Sequence, residues 1–293
     1  MNNHTAVLTP SRGSALTPRQ VVFRTRGNGH GSITRLVSPS DLGELIKPFV
    51  FLDHAVVVPT GKPMFGMHPH SGIATLTTVL SGGISYADTT GKTGELPAGG
   101  LEWMKAGNGV WHDGNVLPGE AVRLFQLWVA LPPAQENSPA ESQYVPPGRV
   151  QQDGPVRVIL GRHGSAVSEI RAPENINYFH VQLDAGETWR YLPPAGHNVS
   201  WLAIDKGRLS ASETIEAGQF ALFEEAAGAP IEVYAEEATS FVFGSAAKHP
   251  YPLVLGHYSV HTNADALAQG EAEIRRIGRE LAAHRRGSAA RNA

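Results

Sequence analysis

The chain has 293 residues, enough for one large domain or two ordinary ones, and 41% of them are hydrophobic against 17% charged. A formal net charge of −3 gives no electrostatic basis for binding nucleic acid or a membrane surface, and the absence of cysteine excludes disulfides, thiolate ligands and cysteine nucleophiles. Thirty-two glycines and 21 prolines imply frequent turns and favour β architecture over a helix bundle.

Residues 1–18 are polar and rich in Pro, Ser and Thr, and are expected to form a flexible arm. They lack the apolar core of a signal peptide, and no stretch approaches the 18 apolar residues of a membrane span, so a cytoplasmic location is the expectation. From Val21 the chain becomes strand-like. The run VVFRTR, the glycine-rich GNGHGS and then ITRLV predict a hairpin, with glycines supplying positive φ. FVFLDHAVVV (49–58) is a further apolar run. Short strands follow, separated by SGG, TTGKTG and PAGG at intervals of roughly ten residues, the rhythm of a sandwich or barrel. VRLFQLWVAL (122–131) alternates, with Val122, Leu124, Gln126, Trp128 and Ala130 on one face.

Residues 132–154 are rich in Pro, Gln and Ser and predict a linker or strapping segment. Strands resume over 155–263 with the same turn rhythm, so the two halves read as diverged copies of one β plan. From about Asp265 the period changes. Leu267, Ile274, Ile277 and Leu281 share a helical face, predicting an amphipathic C-terminal helix within 264–293 that packs across one of the β domains.

The chemistry-bearing residues are histidines. His68 and His70 are an i, i+2 pair, which on a strand places both imidazoles on one face. Pro69 between them requires an edge or irregular position, as at a barrel mouth. Neutral ring nitrogens at this spacing suit a transition metal, although an H-x-H alone also fits ordinary surface or core histidines. His112 lies 42 positions after His70. That leaves room for three or four short strands, which in a small antiparallel barrel can bring it to the pair.

The H-x-H, the following TLTTVLSGG, the PAGG turn, the EWMKAGNGVWH segment and the preceding FVFLDHA together resemble the pirin family of the cupin superfamily. The resemblance covers roughly residues 20–131 well and extends weakly through the second half. It implies an all-β chain of two cupin-type β-barrel (double-stranded β-helix) domains with a C-terminal helix. The first, at 19–131, would carry the metal, and the second, at 155–263, would lack ligands. The family's metal is an iron held by three histidines and a glutamate. Carried over by position, the histidines are His68, His70 and His112. The glutamate position is occupied by Gly114, and the superfamily's other carboxylate position by Ala74. Three imidazoles alone suit Zn, Ni or Cu as well as Fe(II), with water, or nothing, completing the site; the histidines could equally line an empty or water-filled pocket. Asp113, Asn115 and His54 are conceivable further partners, although Asp113 on a strand should face away from His112.

The resemblance implies two functions. One is an iron-dependent quercetin 2,3-dioxygenase type of reaction, weak or absent here because the glutamate is missing. The other is a non-enzymatic regulatory or binding role toward a small molecule or a protein. A flat aromatic ligand in the first barrel and a monomeric state are further expectations. Other candidates read as structural. Asp53 and His54 point to opposite faces of a strand. His180 and His197 lack an H-x-H partner. Trp103, Met104 and Trp111 are expected to pack the core, although one could wall a ligand pocket. Arg275, Arg276, Arg279, Arg285 and Arg286 read as a solvated helix face.

Overall fold

The computed structural model describes residues 16–61 and 66–289. It is built from antiparallel strands that form two barrels of matching plan, each a seven-stranded sheet closed by a four-stranded one. In spatial order the first large sheet contains Glu141–Val145, Leu101–Lys105, Ile73–Ser81, Val122–Ala130, Phe49–Val57, Ile33–Val37 and Asn28–His30. The second contains Val21–Thr25, Phe220–Phe223, Val199–Lys206, Thr239–Ala246, Ile176–Leu183, Val156–Leu160 and Gln152–Asp153 in the equivalent places. Strands His68–His70, Val110–Val116, Gly83–Asp88 and Thr93–Pro97 close the first barrel. Thr188–Tyr191, Ile231–Ala235, Arg208–Ser210 and Thr214–Glu216 close the second.

The large sheets bury both faces, which explains why their strands read as near-continuous apolar runs. On Ile73–Ser81, Ala74 and Leu76 enter a core shared by both barrels, while Thr75 and Thr77 alternate onto the lumen face. Leu101 and Trp103 join that core, as do Phe125, Leu127 and Val129, opposite Tyr178, Trp201, Phe220 and Val242 of the second half. Phe49 meets Trp201 edge to face at 5.3 Å between ring centroids. The inter-barrel seam is thus a sheet-on-sheet core, and a buried ion pair crosses it. Arg123 donates to Asp205 Oδ1 at 2.9 and 2.6 Å, and His54 Nε2 lies 2.8 Å from the same oxygen.

Several boundaries differ from the sequence expectation. Val21–Thr25 does not form a hairpin within the first barrel; it pairs with Phe220–Phe223 of the second. The hairpin lies one step later, between Asn28–His30 and Ile33–Val37. The 132–154 segment is not a free linker. Its Glu141–Val145 adds an edge strand to the first large sheet, against Leu101–Lys105, and Gln152–Asp153 pairs with the second. Most of the expected N-terminal arm, residues 1–15, lies outside the described residues.

The C-terminal helix Ala264–Ala289 returns to the first barrel. Trp111 Nε1 donates to the Ile274 carbonyl at 2.8 Å, and Gly278 lies against the Trp111 ring, where a Cβ would come within 2.7 Å. Ser71 forms an isolated bridge with Ser259 ahead of the helix. Gly72 is required at that crossing, since its φ is +75° and a Cβ would sit 2.0 Å from the Val260 carbonyl. Arg275 and Arg276 pair with Glu271, Glu273 and Glu280 on the solvent side; the Arg285 side chain lies outside the described residues. No helix among the described residues is long and apolar enough to cross a membrane.

Candidate metal centre

The strand His68–His70 is an edge of its sheet, so Pro69 leaves no ladder hydrogen bond unmade there. It pairs with Val110–Val116 in the register that sets His68 opposite His112 and His70 opposite Val110. Spacing of two on one strand and pairing on the next bring the imidazoles together. Ring centroids are 4.4 Å apart for His68 and His112, 5.0 Å for His68 and His70, and 5.1 Å for His70 and His112. One nitrogen from each lies within 4.8 Å of the other two, and no other His, Asp or Glu among the described residues joins a group of this kind. His68 Nε2 and His112 Nε2 are 3.0 Å apart. Two nitrogens each about 2.1 Å from one ion are about 3.0 Å apart at a right angle and about 3.4 Å at the tetrahedral angle, so this pair already has a chelating separation.

The outer ring nitrogens fix the tautomers. His68 Nδ1 lies 2.8 Å from the Gly66 carbonyl, and His70 Nδ1 lies 3.1 Å from the Tyr258 carbonyl. A carbonyl only accepts, so both Nδ1 atoms carry the proton and both Nε2 lone pairs face the cluster. His112 Nδ1 faces the Glu102 carboxyl, Oε1 at 3.8 Å. Burial, followed by the neighbouring His112, lowers His68 to about 4. Burial and the other two imidazoles hold His70 well below the ordinary histidine value. These two imidazoles are therefore neutral at pH 7, the form that ligates metal.

The donor set fits a divalent transition ion: three clustered imidazoles, two of them with the outer nitrogen hydrogen-bonded to a carbonyl. No carboxylate stands among them. Ala74 points into the inter-barrel core, and Gly114 has no side chain, although a Cβ there would meet only Ser85 O at an ordinary 3.8 Å. Asp113 and Asn115 lie outside the cluster, and each keeps a buried oxygen without a hydrogen-bond partner. His54 is not near it; it is spent on Asp205 at the barrel seam, stacked on Phe125. Asp53, on the opposite face, pairs with Arg35. His180 contacts Ser240 and His197 contacts Ser245, both in the second half. Trp103 and Met104 are fully buried, and Trp111 seats the C-terminal helix.

The residue missed from the sequence is Glu102, 3% exposed. Its signal is alternation. Leu101 and Trp103 serve the shared core, so Glu102 and Met104 face the other way. An acid between two such residues is a buried acid. The inward positions of the corresponding strands in the second barrel are Trp189, Tyr191, Ile231 and Val233, and that lumen is filled by Phe179, Phe241 and Phe243.

Two barrels of the cupin plan fused through their large sheets, one lumen holding a cluster of three histidines, define a bicupin. The Pirin family model matches residues 32–129. Two relatives with provisional names are a quercetin 2,3-dioxygenase of Pseudomonas aeruginosa and a pirin-like protein of Arabidopsis thaliana. The first is 29% identical over 207 residues, 66% of this chain and 72% of that one. The second is 30% identical over 195 residues, 61% of this chain and 68% of that one. Among solved structures, a quercetin 2,3-dioxygenase from Acinetobacter baumannii superposes with a TM-score of 0.81 at 23% identity, covering 89% of this chain and 98% of that one. A bacterial pirin from Escherichia coli in complex with nickel(II) superposes at 0.61 with 20% identity, covering 79% and 98%. The chain belongs to the pirin family.

Proposed function

We propose that His68, His70 and His112 hold a divalent metal, Fe(II) by family resemblance with Zn, Ni or Cu as rivals, and that the protein is a quercetin 2,3-dioxygenase-type oxidoreductase of low turnover. The observation that carries this reading is the orientation of the imidazoles. His68 and His70 both have Nδ1 committed to a carbonyl, leaving Nε2 for an ion. The names of the relatives point to flavonol cleavage, and the nickel(II) complex of a protein of the same fold supports a divalent ion.

A bound ion would supply Lewis acidity, polarising the enolate of a flat aromatic substrate and drawing O2 to it. The chain's own residues do the rest. The three histidines would hold the ion. Trp128, with its ring 4.9 Å from His70, and Tyr258, 5.9 Å from both His68 and His70, wall the cluster with aromatic surface that suits a planar ligand. Turnover is low because no carboxylate at position 114 is present to take the substrate's hydroxyl proton. We place the protein in the cytoplasm as a monomer.

The test is metal content of tag-free protein by mass spectrometry beside His68→Ala/His112→Ala, with O2 uptake on quercetin. Near-stoichiometric metal lost in the double variant, with slow quercetin-dependent uptake, is the expected result. Absence of metal after loading with Fe(II), Zn(II) or Ni(II) would refute it. The vacancy at Gly114 favours a second reading, a regulatory pirin that binds a small molecule or a protein without turnover. Saturable quercetin binding with no O2 uptake from the metal-loaded protein would support that reading.

A further inference from the structure

We infer that the carboxylate absent beside the three histidines is supplied from behind them. Glu102 faces the Nδ1 of His112 and, with Asp88 linked to it through Tyr144, forms the anionic half of the centre. The inference rests on the metal reading above.

Its first support is an electrostatic imbalance. Glu102 is 3% exposed and Asp88 7% exposed. Among the described residues neither is paired with a lysine or an arginine, and the one ion-pair neighbour of Glu102 is His112. A buried acid without a cationic partner is costly unless a cation belongs nearby. Two such acids match the charge of a divalent ion, which three neutral imidazoles leave uncompensated.

The second support is that the groups around both acids are built to receive negative charge. The Thr77 hydroxyl donates to Glu102 Oε2 at 2.7 Å. The Tyr144 hydroxyl lies 3.0 Å from Asp88 Oδ2 and 3.3 Å from Glu102 Oε1, bridging them. Burial and then the two neighbouring acids push the Tyr144 phenol upward, so it stays protonated and donates. Asp88 also accepts from the Thr90 amide at 2.7 Å. Although burial works against it, hydrogen bonds from the surrounding hydroxyls and this amide hold the Asp88 carboxyl below its ordinary value. Around Glu102 stand the Thr77 hydroxyl, shared with Gln126 Oε1 at 2.8 Å, and the Tyr144 hydroxyl, shared with Asp88.

The third support is position. Of the three histidines, His112 is the one whose outer nitrogen faces a carboxylate: Glu102 Oε1 stands 3.8 Å from Nδ1, beyond a direct hydrogen bond but close enough for its charge to act on the ring. Asp88 pairs with His112 across the sheet. Glu102 is thus a positioning residue. Its charge would lower the net charge of the loaded centre without occupying a ligand position.

The experiment uses full-length, metal-stripped protein and Ni(II) as the probe, with affinity read by competition against a chromophoric chelator. Glu102→Gln keeps the shape of the side chain and removes its charge. The expected result is Ni(II) affinity about 10- to 100-fold weaker, with unchanged circular dichroism and urea midpoint. Adding Gly114→Glu to that variant puts a carboxylate back from the other side and should recover at least tenfold. Gly114→Glu in the wild-type background is the control: a new ligand alone gains equally in both backgrounds, whereas a charge replacing that of Glu102 gains at least tenfold more in Glu102→Gln. Wild-type affinity in Glu102→Gln, or an equal gain from Gly114→Glu in both backgrounds, overturns the inference while leaving the three-histidine metal reading intact. A wild-type protein that fails to bind Ni(II) overturns both.

Discussion

Acid should destabilise the metal-free protein by an amount traceable to individual histidines. His68 is lowered from an ordinary 6.5 to about 4, first by burial and then by His112. His180, beside Ser240, is lowered to about 4 by burial and then by Arg157. In the unfolded chain both regain their ordinary value. Between pH 6.5 and 4 the unfolded state therefore binds protons that the folded state refuses, and folding stability falls as pH falls. Above pH 6.5 neither group contributes a slope. Moving from pH 7.5 to 5.0 removes about 2 kcal/mol for each group, or about 4 kcal/mol for the two together. His70 acts in the same sense. Urea unfolding of metal-stripped protein at the two pH values measures the total. His68→Gln and His180→Gln should each reduce the pH-dependent loss by about 2 kcal/mol, whatever they do to stability at pH 7.5. A pH dependence that is the same in wild type and both variants would show that these imidazoles are not buried neutral, and the reasoning would fail.

The seam and the helix give two further tests. Asp205→Ala leaves Arg123 and His54 partly buried without their acid and should cost about 3 to 5 kcal/mol; a loss below about 1 kcal/mol in urea unfolding would show that the seam is held by its apolar core alone. Gly278→Val drives a side chain into the Trp111 ring and should cost about 1 to 3 kcal/mol, with a red shift of tryptophan emission as the helix lifts; unchanged emission and stability would contradict the helix contact.

The histidine cluster was more legible in the sequence than its surroundings. His68, His70 and His112 carry residue type and spacing together, and strand periodicity suffices to put the pair on one face. Barrel number and the terminal helix were also readable, because turn rhythm and the change of period at Asp265 are local signals. What could not be read depends on contacts between distant segments. Val21–Thr25 has the same pattern as the strands that follow it, and nothing local says that its partner is Phe220–Phe223. Glu141–Val145 is short, polar on one side and flanked by prolines, so its composition reads as a linker until the Leu101–Lys105 edge is placed beside it. His54 looked like a ligand candidate because its partner, Asp205, lies 151 residues away. Glu102 was legible in principle through the alternation of Leu101 and Trp103, but only once the buried face of that strand had been assigned.

The crossing of the two chain ends sets an order of events during synthesis. A chain made from its N-terminus folds its first domain early when that domain is self-contained. This one is not. The strand Val21–Thr25 has no partner until the second barrel has been made, and the carbonyl that orients His70 belongs to Tyr258, 188 residues later. The Trp111 seat for the helix likewise waits for Ile274. The nascent first barrel therefore carries its three histidines with the His70 ring unoriented until Tyr258 has been made and docked. The geometry of the histidine cluster is thus a property of the two halves together, not of the first barrel alone.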